Sequence, residues 1–361
     1  MSLVAAACGA STPSAGTWVK TGALRIARYG QATATLKDGR ILVVGGYGQG
    51  NVALTQAEIY DPTTGQWKLT DQMGLARASP TATLLPNGQV LVAGGATIVN
   101  GAAVASCELY DPTTGTWMNT GSMHSARDTH TATLLPNGKV FVAGGDGNGG
   151  ILKTAEIYDP AAGTWSEAAP MAQARGAQSA ALLPNGDVLE AGGLEAVQNA
   201  TGLTSAEIYA PATDTWSATG SMHQVHAFFT MTLLRSGAVL AAGSVFGNTP
   251  ASATAELYDP AAGTWRTTGA MAIPRGLHTA TLLGDGRVLV AGGIGPSSSA
   301  TAATELYDPG SGKWQRGPNL IQEREQHTAS LLSNGEVLVA GGQVVPPQGA
   351  GLASSELFRA G

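Results

Sequence analysis

Residues 130–165 read HTATLLPNGKVFVAGGDGNGGILKTAEIYDPAAGTW. Two short apolar segments, His130 to Leu135 and Lys139 to Ala143, flank Asn137-Gly138, whose tolerance of positive φ suits a two-residue hairpin turn. The second segment runs into Gly144-Gly145, where the missing Cβ permits an unusual backbone and the close approach of a neighbour. After a loop comes a third strand, AEIY over Ala155 to Tyr158, which stops at Asp159-Pro160. A short turn ending at Gly163 then leads to a fourth strand at Trp165. The unit reads as four antiparallel strands.

The same unit recurs along the chain. Trp18, Trp67, Trp117, Trp165, Trp216, Trp265 and Trp314 follow one another at intervals of 48 to 51 residues. Glycine pairs keep the same phase at Gly45-Gly46, Gly94-Gly95, Gly144-Gly145, Gly192-Gly193, Gly292-Gly293 and Gly341-Gly342, with Gly243-Ser244 as a degenerate copy. An aromatic precedes each tryptophan position, at Tyr60, Tyr110, Tyr158, Tyr209, Tyr258, Tyr307 and finally Phe358. The hairpin signal repeats at Asp38-Gly39, Asn87-Gly88, Asn185-Gly186, Ser236-Gly237, Asp285-Gly286 and Asn334-Gly335.

A double glycine, then a tyrosine, then a tryptophan at this period resembles the kelch-repeat family over residues 16–361. The resemblance implies an all-β fold, a seven-bladed kelch β-propeller like the central domain of galactose oxidase. WD40 repeats are shorter and would bring Trp-Asp dipeptides, which this chain lacks. The unmatched ends predict how the ring closes. Trp18 has no glycine pair before it and Phe358 has no tryptophan after it, so residues 16–22 supply the outer strand of the last blade beside Glu356 to Arg359.

Charged residues make up 12% of the chain and the net charge is -6, with no basic run, so nucleic acid is not an expected partner. Nothing approaches about 18 consecutive apolar residues, so no transmembrane segment is expected. Cys8 and Cys107 are too few for a disulfide framework or a cysteine metal site. Residues 1–10, MSLVAAACGA, resemble the end of a bacterial lipoprotein signal in which a cysteine after small residues is acylated. The charged start and full apolar stretch of such a signal are missing or cut short. Residues 1–15 therefore read either as a truncated signal segment with a lipid anchor at Cys8, placing the protein outside the cytoplasm, or as a disordered Ala/Ser-rich tail.

Alternation of strand direction puts the hairpin and Asp-Pro turns on one face of a propeller and the variable loops on the other. Those loops are residues 47–56, 96–106, 146–154, 194–205, 245–254, 294–303 and 343–354. Binding usually resides in variable loops on a rigid frame, so a protein or glycan partner is expected there. The connections between blades repeat a cation at Arg28, Arg77, Arg127, Arg175, His226, Arg275 and Arg324. Three residues later comes an inner position, Gln31, Pro80, His130, Gln178, Phe229, His278 and His327, expected near the mouth of the central channel. Six guanidiniums around a mouth could hold a carboxylate or sulfate bidentately, and the likeness to animal kelch adaptors implies acidic peptides. The competing reading is structural, because a glutamate stands two residues before every repeat aromatic, from Glu58 to Glu356, one for each cation. The fifth repeat departs most, with His226, Phe229, Ser244 and Ala210; Phe228, Phe246 and His223 join it as one candidate side of a ligand site. His223-x-x-His226 could be half of a metal site, but no third ligand shows by spacing.

The galactose-oxidase likeness implies a copper site of two tyrosines, two histidines and a cysteine. Only Tyr29 and Tyr47 lie outside the repeat, and Cys107 falls within a strand, so no cofactor is expected. The chain also lacks a G-x-S-x-G elbow, a Walker loop and a zinc-hydrolase motif. A likeness to kelch-fold sialic acid epimerases implies arginines that bind a sugar carboxylate, but no lone glutamate or histidine stands out as its base. The expected function is a non-catalytic binding scaffold, with a carbohydrate-active kelch enzyme as the alternative.

Overall fold

A computed structural model describes residues 16–361 except 100, 197–200, 248 and 346–350; the tail before Gly16 lies outside the described residues. Seven four-stranded antiparallel sheets follow one another. Blade 1 consists of Ala32–Thr35, Ile41–Val44, Ala57–Asp61 and Gln66–Leu69, hydrogen-bonded in that order. Blade 7 is made of Thr328–Leu331, Val337–Ala340, Ser355–Arg359 and, from the other end of the chain, Thr17–Lys20. The closing register runs from Thr17 opposite Arg359 to Lys20 opposite Glu356, with Trp18 opposite Phe358.

First strands of consecutive blades are neighbours around the ring, and the seventh returns to the first. The second strands, such as Val90–Ala93 and Val140–Ala143, are buried on both faces, which is why they read as unbroken apolar runs. Their side chains form cores shared by two blades: Val140 and Val142 of blade 3 pack with Leu85, Leu91 and Leu109 of blade 2. Each tyrosine leans on the tryptophan of its own blade, as in Tyr110–Trp117 at 4.9 Å between centroids. The polar tips of most of these aromatics then reach the preceding blade. Trp165 Nε1 donates to the Gly121 carbonyl at 2.9 Å, and the Tyr158 hydroxyl meets Thr120 Oγ1 at 2.6 Å. The aromatics thus bury area and tie blade to blade.

The hairpins differ from the expected two-residue turn. Leu135 N donates to Lys139 O and Gly138 N donates to Leu135 O, both at 2.9 Å, so three residues, Pro136, Asn137 and Gly138, form the loop. Only Gly138 is left-handed, at φ 82, while Asn137 Oδ1 caps Lys139 N at 3.1 Å. A right-handed turn closed by one left-handed glycine needs positive φ at one position, and so the residue before it varies among Asn, Asp and Ser.

Candidate functional site

The face opposite the hairpins is built by the blade connections and the double glycines. In each connection the arginine bridges two blades. Arg77 O accepts from Gly46 N of blade 1 at 3.0 Å, while its guanidinium enters blade 2. There Nη1 donates to Gly94 O at 3.0 Å and Ser106 O at 2.7 Å, and Nη2 reaches Glu108 Oε1 at 2.9 Å. A side chain on Gly45 would meet Arg77 O at 2.2 Å, which is why the first glycine admits no Cβ. Glu108 also accepts from Gly74 N at 2.7 Å and Leu75 N at 3.3 Å, fastening the start of the connection.

Arg28, Arg127, Arg175, Arg275 and Arg324 repeat the arrangement with Glu58, Glu156, Glu207, Glu305 and Glu356, at 2.7 to 2.9 Å. All six arginines are 0% exposed. Burial and three or more internal acceptors match the structural reading of the repeated Glu–Arg pair and not guanidiniums around an open mouth. The inner positions are withdrawn as well. His130, His278 and His327 are buried, and each places Nε2 against a threonine of the preceding blade, Thr81, Thr230 and Thr279, at 3.0 to 3.1 Å. Burial, then the nearby Arg127, pushes His130 down to about 3, and burial with Arg275 does the same to His278. Neither ring adds positive charge at neutral pH. Gln31 and Gln178 donate to the Ala340 and Ala143 carbonyls, and Phe229 packs into the core between blades 4 and 5 with Met222 and Val239.

Blade 5 keeps the tie in weaker form. His226 Nδ1 meets Gly243 O at 2.6 Å, and Nε2 lies 3.4 Å from Glu256 Oε1 without a hydrogen bond. His223 Nδ1 takes the other carboxylate oxygen at 2.8 Å, so the two histidines flank one glutamate instead of converging on a metal. Burial works against the Glu256 charge, but His226, His223 and the amides of His223 and Gln224 hold the carboxyl at about 2. Ser244 replaces the second glycine; its hydroxyl accepts from Ala227 N at 3.0 Å. His226→Arg should restore the consensus set of donors and stabilise the protein by about 1–2 kcal/mol, read as an upward shift in thermal midpoint. A downward shift would mean that blade 5 is specialised around its histidine.

The mouth itself is lined by other residues. After each arginine comes a residue bridged to the one following the glycine pair: Tyr29 with Tyr47, Asp128 with Asp146, Glu325 with Gln343. The next residue is left-handed in every blade: Gly30, Ser79, Thr129, Ala177, Phe228, Leu277 and Gln326, at φ 46 to 60. Backbone bonds pass around this ring, as in Ser79 N to Gly30 O at 2.7 Å and Gly30 N to Gln326 O at 3.0 Å. Six non-glycine residues in that region store strain of about 1 kcal/mol or more each. The mouth positions, 29, 30 and 47 with their equivalents, carry three carboxylates and no lysine or arginine. Burial and the Asp146 charge push Asp128 up to about 6; burial pushes Glu325 up to about 7 against its hydrogen bond from Gln343. Tyr47 rises to about 12 through burial and then the charges of Asp128 and Tyr29.

Neighbouring variable loops are joined. Val52 bridges Ile98, and Asn148 exchanges two hydrogen bonds with the Ala103 backbone, at 2.8 and 3.1 Å. On this joined rim Val52 is 57% exposed and Ile98 55%. Phe246 covers Gly202 of the adjacent loop. Cys107 is buried and its thiol is pushed up to about 11 by burial. Among the described residues no group of three or more histidines, cysteines or acids is placed to hold a metal, and no helix is long and apolar enough to cross a membrane.

Similarity to known proteins follows the repeat. Among solved structures the chain is similar to a fungal alcohol oxidase of the AA5 family in complex with copper, with a TM-score of 0.78 at 18% identity, covering 96% of this chain and 77% of that one. It is also similar to YjhT, with a TM-score of 0.63 at 14% identity, covering 82% of this chain and 99% of that one. At these identities the likeness shows the fold alone. A search of curated proteins found no match. The model of the KLHDC2/KLHL20/DRC7 kelch-repeats domain matches residues 30–243, more than half of the chain. With the glycine pairs, the Tyr–Trp stacks and seven closed blades all in place, the chain belongs to the kelch-repeat family.

Proposed function

We propose that this propeller is a non-catalytic binding scaffold outside the cytoplasm, presenting its loop-side face to a protein or glycan partner. The observation that carries this reading is the joined rim of blades 1 and 2, where Val52 and Ile98 stand exposed on loops 47–56 and 96–106, which contain no charged residue. Exposed apolar side chains on a rigid, rimmed surface are what a partner covers. With every repeat arginine buried, the face favours neutral glycans or uncharged peptide surfaces over acidic ligands.

A thermal-shift panel of neutral glycans, acidic sugars and peptides tests this. A ligand at about 100 times its Kd should stabilise by about 2.7 kcal/mol. Val52→Asn with Ile98→Asn should abolish that shift while moving the unliganded midpoint by no more than about 0.5 kcal/mol allows. A shift from acidic sugars alone, or one that survives the double substitution, places the site elsewhere. The alternative, a carbohydrate-active enzyme, would draw on Asp128 and Glu325, whose raised values suit proton transfer near neutrality. Turnover of a sugar by purified protein would displace the scaffold reading.

A further inference from the structure

Two residues before each glycine pair, the second strand turns a side chain toward the preceding blade; Val92 packs with blade 1 and Val142 with blade 2. Six blades place an apolar residue there: Val43, Val92, Val142, Ala241, Val290 and Val339. Blade 4 places Glu190, which is 0% exposed. Its Oε1 meets Thr131 Oγ1 of blade 3 at 2.5 Å, and its Oε2 has no hydrogen-bond partner.

The charges facing it do not balance. Glu190 sits opposite Glu207 in the sheet, and the cation of that blade, Arg175, already pairs with Glu207 at 2.9 Å. One guanidinium thus faces two buried carboxyls. Across the joint, His130 precedes Thr131 but is held neutral by burial and then Arg127; the Gln178 amide, which donates to the Ala143 carbonyl at 2.9 Å, also favours a charge on Glu190, but by less than burial opposes it. A second buried negative charge would have to share one guanidinium with Glu207 at a fully buried site.

We propose that Glu190 is carried as the neutral acid, and that the joint between blades 3 and 4 is a proton-dependent lock that loosens when this carboxyl ionises. Thr131 Oγ1 stands between Glu190 Oε1 and the Ala143 carbonyl, the latter at 3.4 Å. With a proton on Oε1, Glu190 donates to Thr131, and the threonine hydrogen turns to Ala143 O beside Gln178. A chain of hydrogen bonds then crosses the joint from both sides. When the proton leaves to solvent, Thr131 must donate to Oε1 instead. Ala143 loses that donor, and the charge is spread over two buried oxygens of which Oε1 alone accepts from a hydroxyl.

The sign of the linkage follows. Burial, with the Glu207 charge adding to it, pushes Glu190 from 4.5 up to about 8 against the Thr131 hydrogen bond, Arg175 and Gln178. Its contribution is complete below the unfolded value and is lost as pH rises through the folded one, by up to about tenfold in the folding constant per pH unit. The joint also carries the blade 3 loop, a hairpin of Asp146–Gly147 with Gly150–Ile151, whose Ile151 covers Gly176 at the entry to blade 4. Ionisation therefore loosens part of the loop face; only this consequence rests on the binding reading.

Denaturation of wild type, Glu190→Gln and Glu190→Val from about pH 5 to about pH 9 tests the lock. The wild-type midpoint should fall across this range more steeply than either variant, and Glu190→Val should be the more stable protein at the alkaline end. Glu325 and Asp128 titrate in the same window, so the difference between proteins is the readout. Parallel profiles overturn the proposal. Infrared difference spectroscopy supplies a readout independent of stability: a protonated carboxylic acid band present at neutral pH and bleached at the alkaline end in the wild type, beyond the band that Glu325 leaves in Glu190→Gln. Identical bands in the two proteins at neutral pH overturn the proposal equally.

Discussion

Arg127→Met should destabilise the propeller by about 3–5 kcal/mol, because the substitution leaves a buried carboxylate without its cation. Arg127 donates to Gly144 O at 2.7 Å, Thr154 O at 3.0 Å and Thr154 Oγ1 at 3.1 Å, besides meeting Glu156 at 2.9 Å. Methionine fills similar volume but satisfies none of these acceptors, and each orphaned one costs about 1–3 kcal/mol when no water can enter. Glu156 keeps only the amides of His124 and Ser125 and the His124 ring. The pairing of Arg127 with Met and Glu156 with Leu separates charge from packing. It removes the carboxylate along with the cation and should recover a large part of the loss, although the amides of His124 and Ser125 then lack an acceptor. Urea denaturation of the single and double variants gives the comparison. A single variant within about 1 kcal/mol of wild type would show that the ring of buried pairs is not what holds the blades.

The same pair sets an acid limit to stability. Burial opposes ionisation of Glu156, but the His124 and Ser125 amides with Arg127 hold its carboxyl below the ordinary value. A lowered carboxyl contributes stability above its unfolded value and loses it as pH falls through the folded one. Glu190 has the opposite sign. Two glutamates in adjacent blades thus bound the stable range from both ends, and the difference lies in their partners: Glu156 has a cation to itself, and Glu190 shares Arg175 with Glu207.

How much of this was legible in the sequence depends on periodicity. Seven Trp positions, the glycine pairs and the unmatched ends at Trp18 and Phe358 are enough to derive the blade count and the closure, because every copy repeats the same local chemistry. Direction is harder to read. Spacing puts Arg77 and its equivalents in the connections, and the matching glutamates point to a tie, but spacing alone does not say whether a guanidinium points out of a mouth or back between blades. The decisive fact, the carbonyl pair of Gly94 and Ser106, is backbone and leaves no mark in side-chain patterning. The mouth was missed for a different reason. Tyr29, Asp128 and Glu325 occupy equivalent positions but share no chemistry, so no repeat signal marks them. Glu190 did leave a signal. Aligning VLEA of 188–191 with VLVA of 90–93 and 288–291 sets one acid against valines, and a search for deviations within the core strands finds it.

Loss of the closing strand should have the other large effect. Trp18→Ala should cost about 3–5 kcal/mol, and removal of residues 1–20 should add a concentration-dependent association that the full chain lacks. Trp18 is the outer aromatic of blade 7. Its ring lies 5.3 Å from Phe358, and Nε1 donates to Pro318 O at 3.0 Å. Unlike blades 1, 3, 5 and 6, whose tyrosines add a hydroxyl contact to a threonine, blade 7 has Phe358, so its outer layer relies on Trp18 more heavily. Without Thr17–Lys20, the strand Ser355–Arg359 becomes an uncovered edge with Leu357 and Phe358 beside it, a template for pairing with another chain. Light scattering of the truncated protein should show mass rising with concentration. A peptide spanning residues 14–22, added in trans, should return both the monomer and the thermal midpoint by occupying the vacant register. A truncated protein that stays monomeric, with its midpoint unchanged by the peptide, would mean that the ring is held by its other six joints and that closure by the chain's head contributes little.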